Sequence, residues 1–231
     1  MPKAKSKIKL ESKSEIKTDN SSNNKTNTTT KVTPNQIKLD ELKIRTANAN
    51  LPLKDTATNI VFGKGNPDAK ILFIGEAPGE KEDIQGIPFV GSAGRELNKL
   101  LNSINLTIDD VYIANILKYR PPKNRDPNII EIKSHTPFLV EQIQIIKPKV
   151  ICTLGNYSTK FVLAGFNPEG MKKINGIAEI HGKPITIKIE SNEFIVVPLY
   201  HPAAMLYNPK LRPVLTEDVV SIGKLLHENK K

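Results

Sequence analysis

A single cysteine among 231 residues excludes an internal disulfide and any cage built from several thiolates. It lies inside the apolar run Val150-Ile151-Cys152-Thr153-Leu154, and a chain so poor in cysteine is expected in a reducing, intracellular compartment. The four histidines are scattered and share no ligand spacing with each other or with Cys152, so metal catalysis is not expected and no metal site is assigned. No apolar run approaches the roughly 20 residues that span a bilayer, and no membrane partner is expected. The first residues have no apolar central region, which argues against an ordinary secretory signal, and their Lys-with-Glu character is unlike an Arg-rich organelle leader. No self-similarity at a period of roughly 20–50 residues marks a repeat array.

What is present is an uneven excess of positive charge. The formal net charge is +10, and residues 1–38 hold nine Lys against three acidic residues (Glu11, Glu15 and Asp19). Lys, Ser, Asn and Thr cannot bury enough surface to offset ordering entropy, so residues 1–38 are expected to form a disordered basic tail. Such an arm adds sequence-independent attraction to phosphate polymers, or is a solvated leader with no specific role. Residues 39–231 are long enough for one substantial domain.

Short apolar runs alternate with helical patterns. Ile71 to Ile74 reads as a strand that stops at the loop Gly75-Glu76-Ala77-Pro78-Gly79-Glu80, which continues through Glu82, Asp83 and Pro88-Phe89-Val90-Gly91 to a helix beginning after Gly94. A short helix over 39–49 and a strand at Ile60-Val61-Phe62 are expected before it. Val111 to Leu117 is a second buried strand, followed by a loop of prolines and cations over 118–127. Residues 128–147 read as a helix kinked or divided by Pro137. Val150 to Leu154 is a third strand, with Asn156 as the cap of the next helix. Ile177 to Ile180 is a further apolar run. Ile185 to Ile189 and Phe194 to Pro198 form a hairpin that leads to His201-Pro202, and a helix over 214–227 closes the chain. This alternation predicts an α/β domain with a mainly parallel central sheet.

Three strand ends carry chemistry. The Gly75–Gly79 loop offers backbone donors, a carboxylate cluster (Glu76, Glu80, Glu82, Asp83) and the aromatic Phe89. Asn115 offers an amide with donor and acceptor suited to a planar edge, or it satisfies a strand-end turn. His201 can donate to developing negative charge, or it is a buried, satisfied histidine. Phe89 reads equally as core, the carboxylates as a solvated loop, and Lys118, Arg120, Lys123 and Arg125 as a solvated basic loop. The Gly75–Gly79 loop lacks the Gly-Lys-Ser/Thr ending of a phosphate-binding P-loop.

The combination is specific. Gly75-Glu76-Ala77-Pro78-Gly79-Glu80 with Pro88-Phe89-Val90-Gly91, then Asn115, Arg120-Pro121-Pro122-Lys123-Asn124-Arg125 and His201-Pro202-Ala203-Ala204, closely resembles the family-4 uracil-DNA glycosylases over about residues 48–225. The resemblance implies a three-layer α/β/α fold and a base-flipping DNA-repair hydrolase that removes uracil from single- or double-stranded DNA, initiating base-excision repair. By match with the family motifs, Phe89 stacks on the flipped uracil and Asn115 pairs with its O4 and N3 edge. Main chain at Glu76, Ala77 and Pro78 lines the pocket, and His201 bonds O2. Lys118, Arg120, Lys123, Asn124, Arg125 and Pro202 are then expected to hold DNA. Glu76 is the first choice to orient water and Glu82 the second acid. A cytoplasmic, nucleoid-associated monomer is expected.

The sequence departs from the family in one respect. Four cysteines of family 4 hold an iron–sulfur cluster, and the corresponding positions are Asn48, Leu51, Tyr119 and His135, so no cofactor is expected. Packing by Tyr119 and Leu51 is expected to fill that place. A non-catalytic DNA-binding or replication-associated relative is the alternative reading. Action on another deaminated base such as hypoxanthine, which Gly79 could admit, is a third.

Overall fold

The apolar strands bury alternate residues on opposite sides, and this fixes the layering. A computed structural model of the chain describes residues 32–228. Its helices are α1 (Pro34–Asn48), α2 (Glu80–Gln85), α3 (Ser92–Asn102), α4 (Ile129–Ile146), α5 (Asn156–Leu163), α6 (Ile177–Ile180), α7 (Ala204–Tyr207) and α8 (Leu211–Glu228). Its strands are β1 (Lys64–Gly65), β2 (Ile71–Gly75), β3 (Tyr112–Asn115), β4 (Val150–Leu154), β5 (Ile185–Ile189) and β6 (Asn192–Leu199). They form one sheet in the order β1-β3-β2-β4-β6-β5. The three inner pairings are parallel, while β1 with β3 and β5 with β6 are antiparallel.

Because side chains alternate across a strand, Leu72, Ile74, Ala114, Ile151 and Val196 face one way. They pack with Leu39 and Leu42 of α1, Ile132, Leu139 and Ile143 of α4, and Phe161 of α5. Ile71, Phe73, Ile113, Cys152 and Val197 face the other way, against Leu97 and Leu101 of α3 and Leu215 and Val219 of α8. The result is the expected three-layer α/β/α arrangement around a mainly parallel sheet. Among the described residues no helix is long and apolar enough to cross a membrane.

Several local expectations are corrected. Helix α1 begins at Pro34 rather than near 39, because the Thr33 hydroxyl accepts from the Gln36 backbone N–H (3.2 Å) and proline suits the first helical turn. Residues 34–38 of the expected tail therefore belong to α1, residues 32 and 33 lead into it, and residues 1–31 lie outside the described residues. Ile60 to Phe62 is not a strand; the short strand falls at Lys64–Gly65. The long loop after Gly75 contains α2, and α3 starts at Ser92, ahead of Gly94. Helix α4 runs through Pro137 undivided, so the proline removes only one backbone donor. Asn156 is not a cap: Gly155 takes that position, and the Asn156 amide oxygen accepts from the Ile177 backbone N–H (3.1 Å). Ile177 to Ile180 is a helical turn.

Candidate active site

Parallel pairing brings the carboxyl ends of three strands to one edge of the sheet. Gly75 pairs in register with Asn115, and Leu154 with Leu199, two residues before His201. Ligand sites of open α/β sheets lie at such ends. A cavity of about 530 Å³ opens there, lined by Glu76, Ala77, Pro78, Glu82, Phe89, Asn115 and His201, with Asn124 and Arg125 also in its wall. Its size falls within the range of small-ligand pockets.

Two glycines shape it. A Cβ at Gly75 would fall 2.4 Å from the Asn115 amide oxygen and 3.2 Å from the Phe89 ring, so only a bare backbone lets both side chains close over the end of β2. A Cβ at Gly94 would fall 1.7 Å from the Phe89 carbonyl oxygen, so the first turn of α3 can dock there only with glycine. Phe89 itself is left-handed (φ 54°), a conformation that costs a bulky residue on the order of 1–3 kcal/mol and concentrates at functional sites. The turn presents its ring to the cavity, 6.0 Å from the His201 ring and tilted by 36°.

The polar groups are set in definite states. Asn115 is 2% exposed, and its side-chain amide makes no hydrogen bond among the described residues, so a donor and an acceptor stand open to the cavity. The Ala203 backbone N–H donates to His201 Nδ1 (3.3 Å), which assigns the ring proton to Nε2. Burial lowers the His201 pKa, with the Glu82 charge opposing, so the ring is neutral at pH 7 and a donor at Nε2. Glu76 is half-buried, and desolvation first, then the charge of Asp126, pushes its pKa up to about 6. Glu82 accepts from the Gly91 backbone N–H (2.9 Å), which ties α2 to the start of α3.

The basic loop differs from expectation at several positions. Lys118 is fully buried and cannot meet DNA: its Nζ donates to the Asn115 carbonyl (2.8 Å) and to the Gln142 amide oxygen, beneath the Phe62 ring. Pro202 is buried as well, its carbonyl accepting from the Met205 N–H (3.2 Å) in the turn after His201. Arg125 is held in a two-pronged ion pair by Glu131. Arg120 bonds Asn124 through Nε (2.8 Å) and lies 3.8 Å from Glu80. Lys123 is exposed.

The positions matched to cluster ligands do not fit an iron–sulfur cluster. Asn48 is exposed, Leu51 is packed, and the Tyr119 ring meets His135 edge-on at 6.0 Å. Both nitrogens of His135 are engaged: Nδ1 accepts from the Lys118 N–H (3.0 Å), and Nε2 lies 3.2 Å from the Pro52 carbonyl. Burial lowers the His135 pKa to about 4, so the ring is neutral. The one thiol, Cys152, faces the opposite core, its pKa raised by burial. No group of three or more His, Cys, Asp or Glu is placed to hold a metal among the described residues.

Sequence reasoning missed three contributors. Glu131 was legible as the fourth residue of an Asn128-Ile129-Ile130-Glu131 capping box, which is formed. Gly94 and Gln142 gave no local signal, because each matters through a contact made only in the folded chain.

The sequence matches the family model described as "Uracil DNA glycosylase superfamily" over residues 62–221. It is 48% identical to the type-4 uracil-DNA glycosylase of Sulfurisphaera tokodaii over 169 residues, 73% of this chain and 75% of that protein. It is 47% identical to the type-4 enzyme of Saccharolobus solfataricus over 73% of this chain and 76% of that one. The type-4 enzyme of Archaeoglobus fulgidus is 43% identical over 75% of this chain and 85% of its own length. With the match spanning the sheet, Phe89, Asn115 and His201, this chain belongs to the uracil-DNA glycosylase superfamily.

Proposed function

We propose that the chain is a uracil-DNA glycosylase, hydrolysing the N-glycosidic bond of a deoxyuridine turned out of DNA to initiate base-excision repair. The observation that carries this is the convergence of an aromatic face, an open amide and a neutral imidazole donor on one cavity. The names of the three relatives support it.

Phe89 offers its face to the flipped base, and Asn115 offers its N–H to O4 and its oxygen to the N3 proton. Cytosine presents an exocyclic amine where uracil has O4 and a bare N3 where uracil has N3–H, so the amide N–H in this orientation faces a donor, its oxygen faces a lone pair, and both bonds are lost with the buried amide left unpaired. Turning the nucleotide out costs a few kcal/mol, which these contacts offset. As the bond between C1′ and N1 breaks, its electron pair goes to the base and spreads onto O2, while the sugar becomes oxocarbenium-like. His201 lines the cavity, and its Nε2–H is the donor assigned to that charge. Water then adds to C1′ and gives up a proton, with the Glu76 carboxylate oriented to take it. The departing uracil anion regains a proton from solvent. Arg120, Lys123, Asn124 and Arg125, of which Asn124 and Arg125 reach the cavity wall, are assigned to phosphates on either side of the extruded nucleotide, positioning DNA without reading sequence.

Glu76 gives this scheme a pH signature. If the ionised carboxylate orients water, the single-turnover rate falls about tenfold per unit below pH 6 and is level above it. Glu76→Gln lowers the rate about 10- to 100-fold and flattens the acid limb. Stability moves the other way. The folded pKa lies above the unfolded value, so the contribution of Glu76 is most favourable below about pH 4.5 and is lost as pH rises through about 6. Glu76→Gln is therefore expected to raise Tm at pH 7.5, by the equivalent of about 1 kcal/mol after solvent screening, and thermal melts at pH 4.5 and 7.5 check the sign. Incubation with uracil-containing single- and double-stranded oligonucleotides, followed by alkaline cleavage of abasic sites, tests the activity itself.

A further inference from the structure

The buried lysine that the DNA interface does not use sits under the strand end that carries the recognition amide. Lys118 Nζ donates to the Asn115 backbone carbonyl (2.8 Å) and to Gln142 Oε1, while Gln142 Nε2 donates to the Phe62 carbonyl (2.9 Å). The Lys118 backbone N–H donates to His135 Nδ1, whose ring reaches the Pro52 carbonyl from its other nitrogen. Four stretches of chain are thereby joined: the segments at Pro52 and Phe62, the end of β3, and α4. Three of these, the Pro52 segment, the stretch after β3 and α4, also hold positions matched to cysteines of the cluster-bearing family (Leu51, Tyr119 and His135). A lysine and a glutamine with no access to solvent are costly unless they are fully hydrogen-bonded.

We propose that Lys118 is a positioning residue for the reaction, setting the depth and angle of Asn115 through its carbonyl, with Gln142 and His135 as the rest of a hydrogen-bonded clamp. Three further features support this. Strand β3 ends at Asn115, and just past it the Ile116 and Leu117 N–H groups donate to the Gly75 and Glu76 carbonyls (each 3.0 Å), so the Lys118 bond fixes the Asn115 carbonyl in a segment whose N–H groups are already held. The Asn115 side chain has no protein partner among the described residues, so its aim depends on its backbone. Desolvation lowers the Lys118 pKa to about 7, as expected of an amine held by two oxygens and an aromatic face rather than by a carboxylate.

This inference rests on the uracil reading, and the test separates the two. Lys118→Met keeps the aliphatic stem and removes the donors, and Gln142→Leu leaves Lys118 with one acceptor. Both are compared with the full wild-type chain on uracil-containing single-stranded oligonucleotides under single turnover, alongside binding of the same strand with thymine. The expected result is a 10- to 100-fold loss of the chemical rate for Lys118→Met and about tenfold for Gln142→Leu. Affinity for the thymine strand stays within twofold, and release of uracil relative to cytosine becomes less selective. Rates within twofold of wild type in a folded variant overturn the proposal. So does a loss of thymine-strand binding in parallel with rate, which marks a purely structural role. If Lys118→Met does not fold, Gln142→Leu decides alone; failure of both to fold assigns the clamp to folding and also overturns it. An inactive wild type removes the uracil reading and the inference with it, whereas an active wild type with unaffected variants removes only the inference.

Discussion

His201→Ala is expected to slow single-turnover release of uracil by about 10²–10³-fold while leaving affinity for uracil-free DNA nearly unchanged. The magnitude is that of removing one preorganised donor from a site where negative charge develops. The geometry behind it is specific: Nδ1 is occupied by the Ala203 N–H, so the single ring proton lies on Nε2, and burial keeps the ring neutral. A neutral donor gives no titration between pH 7 and 8.5, so the wild-type rate should be level across that range. A rate that fell there in proportion to an imidazolium population would contradict this assignment.

Gly75→Ala is the second large effect. The φ of Gly75 is not left-handed, so alanine meets no backbone strain and the protein should fold. The new Cβ, however, takes space now held by the Asn115 amide oxygen and the edge of the Phe89 ring. One methyl group therefore displaces the edge-reading and the stacking group together. A misplacement of about 1 Å in a positioning group costs on the order of 10²-fold, so the chemical rate should fall at least that far. Circular dichroism and Tm close to wild type, with the rate lost, would show that the defect is local. A fully active Gly75→Ala would mean that Asn115 and Phe89 do not work from these positions.

The fold was largely legible, because its inner strands are continuous apolar runs with turn residues at their ends. What escaped were boundaries decided by single contacts. Thr33 starts α1 early, and Asn156 is diverted from capping to hold α6. The site residues were legible as a motif constellation, and Phe89, Asn115 and His201 do meet at one cavity. The basic loop departs from its expected exposure at Lys118. From sequence, Lys118 is one more cation in a run of four, but its head is turned inward against Phe62, Gln142 and the Asn115 carbonyl, while His135 holds its backbone N–H. Arg125 stays exposed, but it has a carboxylate partner, Glu131, on the following helix. Neither fact is local, so neither could be read from composition.

The most direct measurement of the central claim is strand scission at an abasic site. Wild-type protein and Asn115→Ala are incubated with an oligonucleotide carrying one uracil, and the products are treated with alkali. Wild type is expected to convert the strand to a single product at the uracil position, with none from a matched cytosine or thymine strand, and Asn115→Ala is expected to be slower by two orders of magnitude or more. Wild-type cleavage no greater than that of Asn115→Ala would contradict the account.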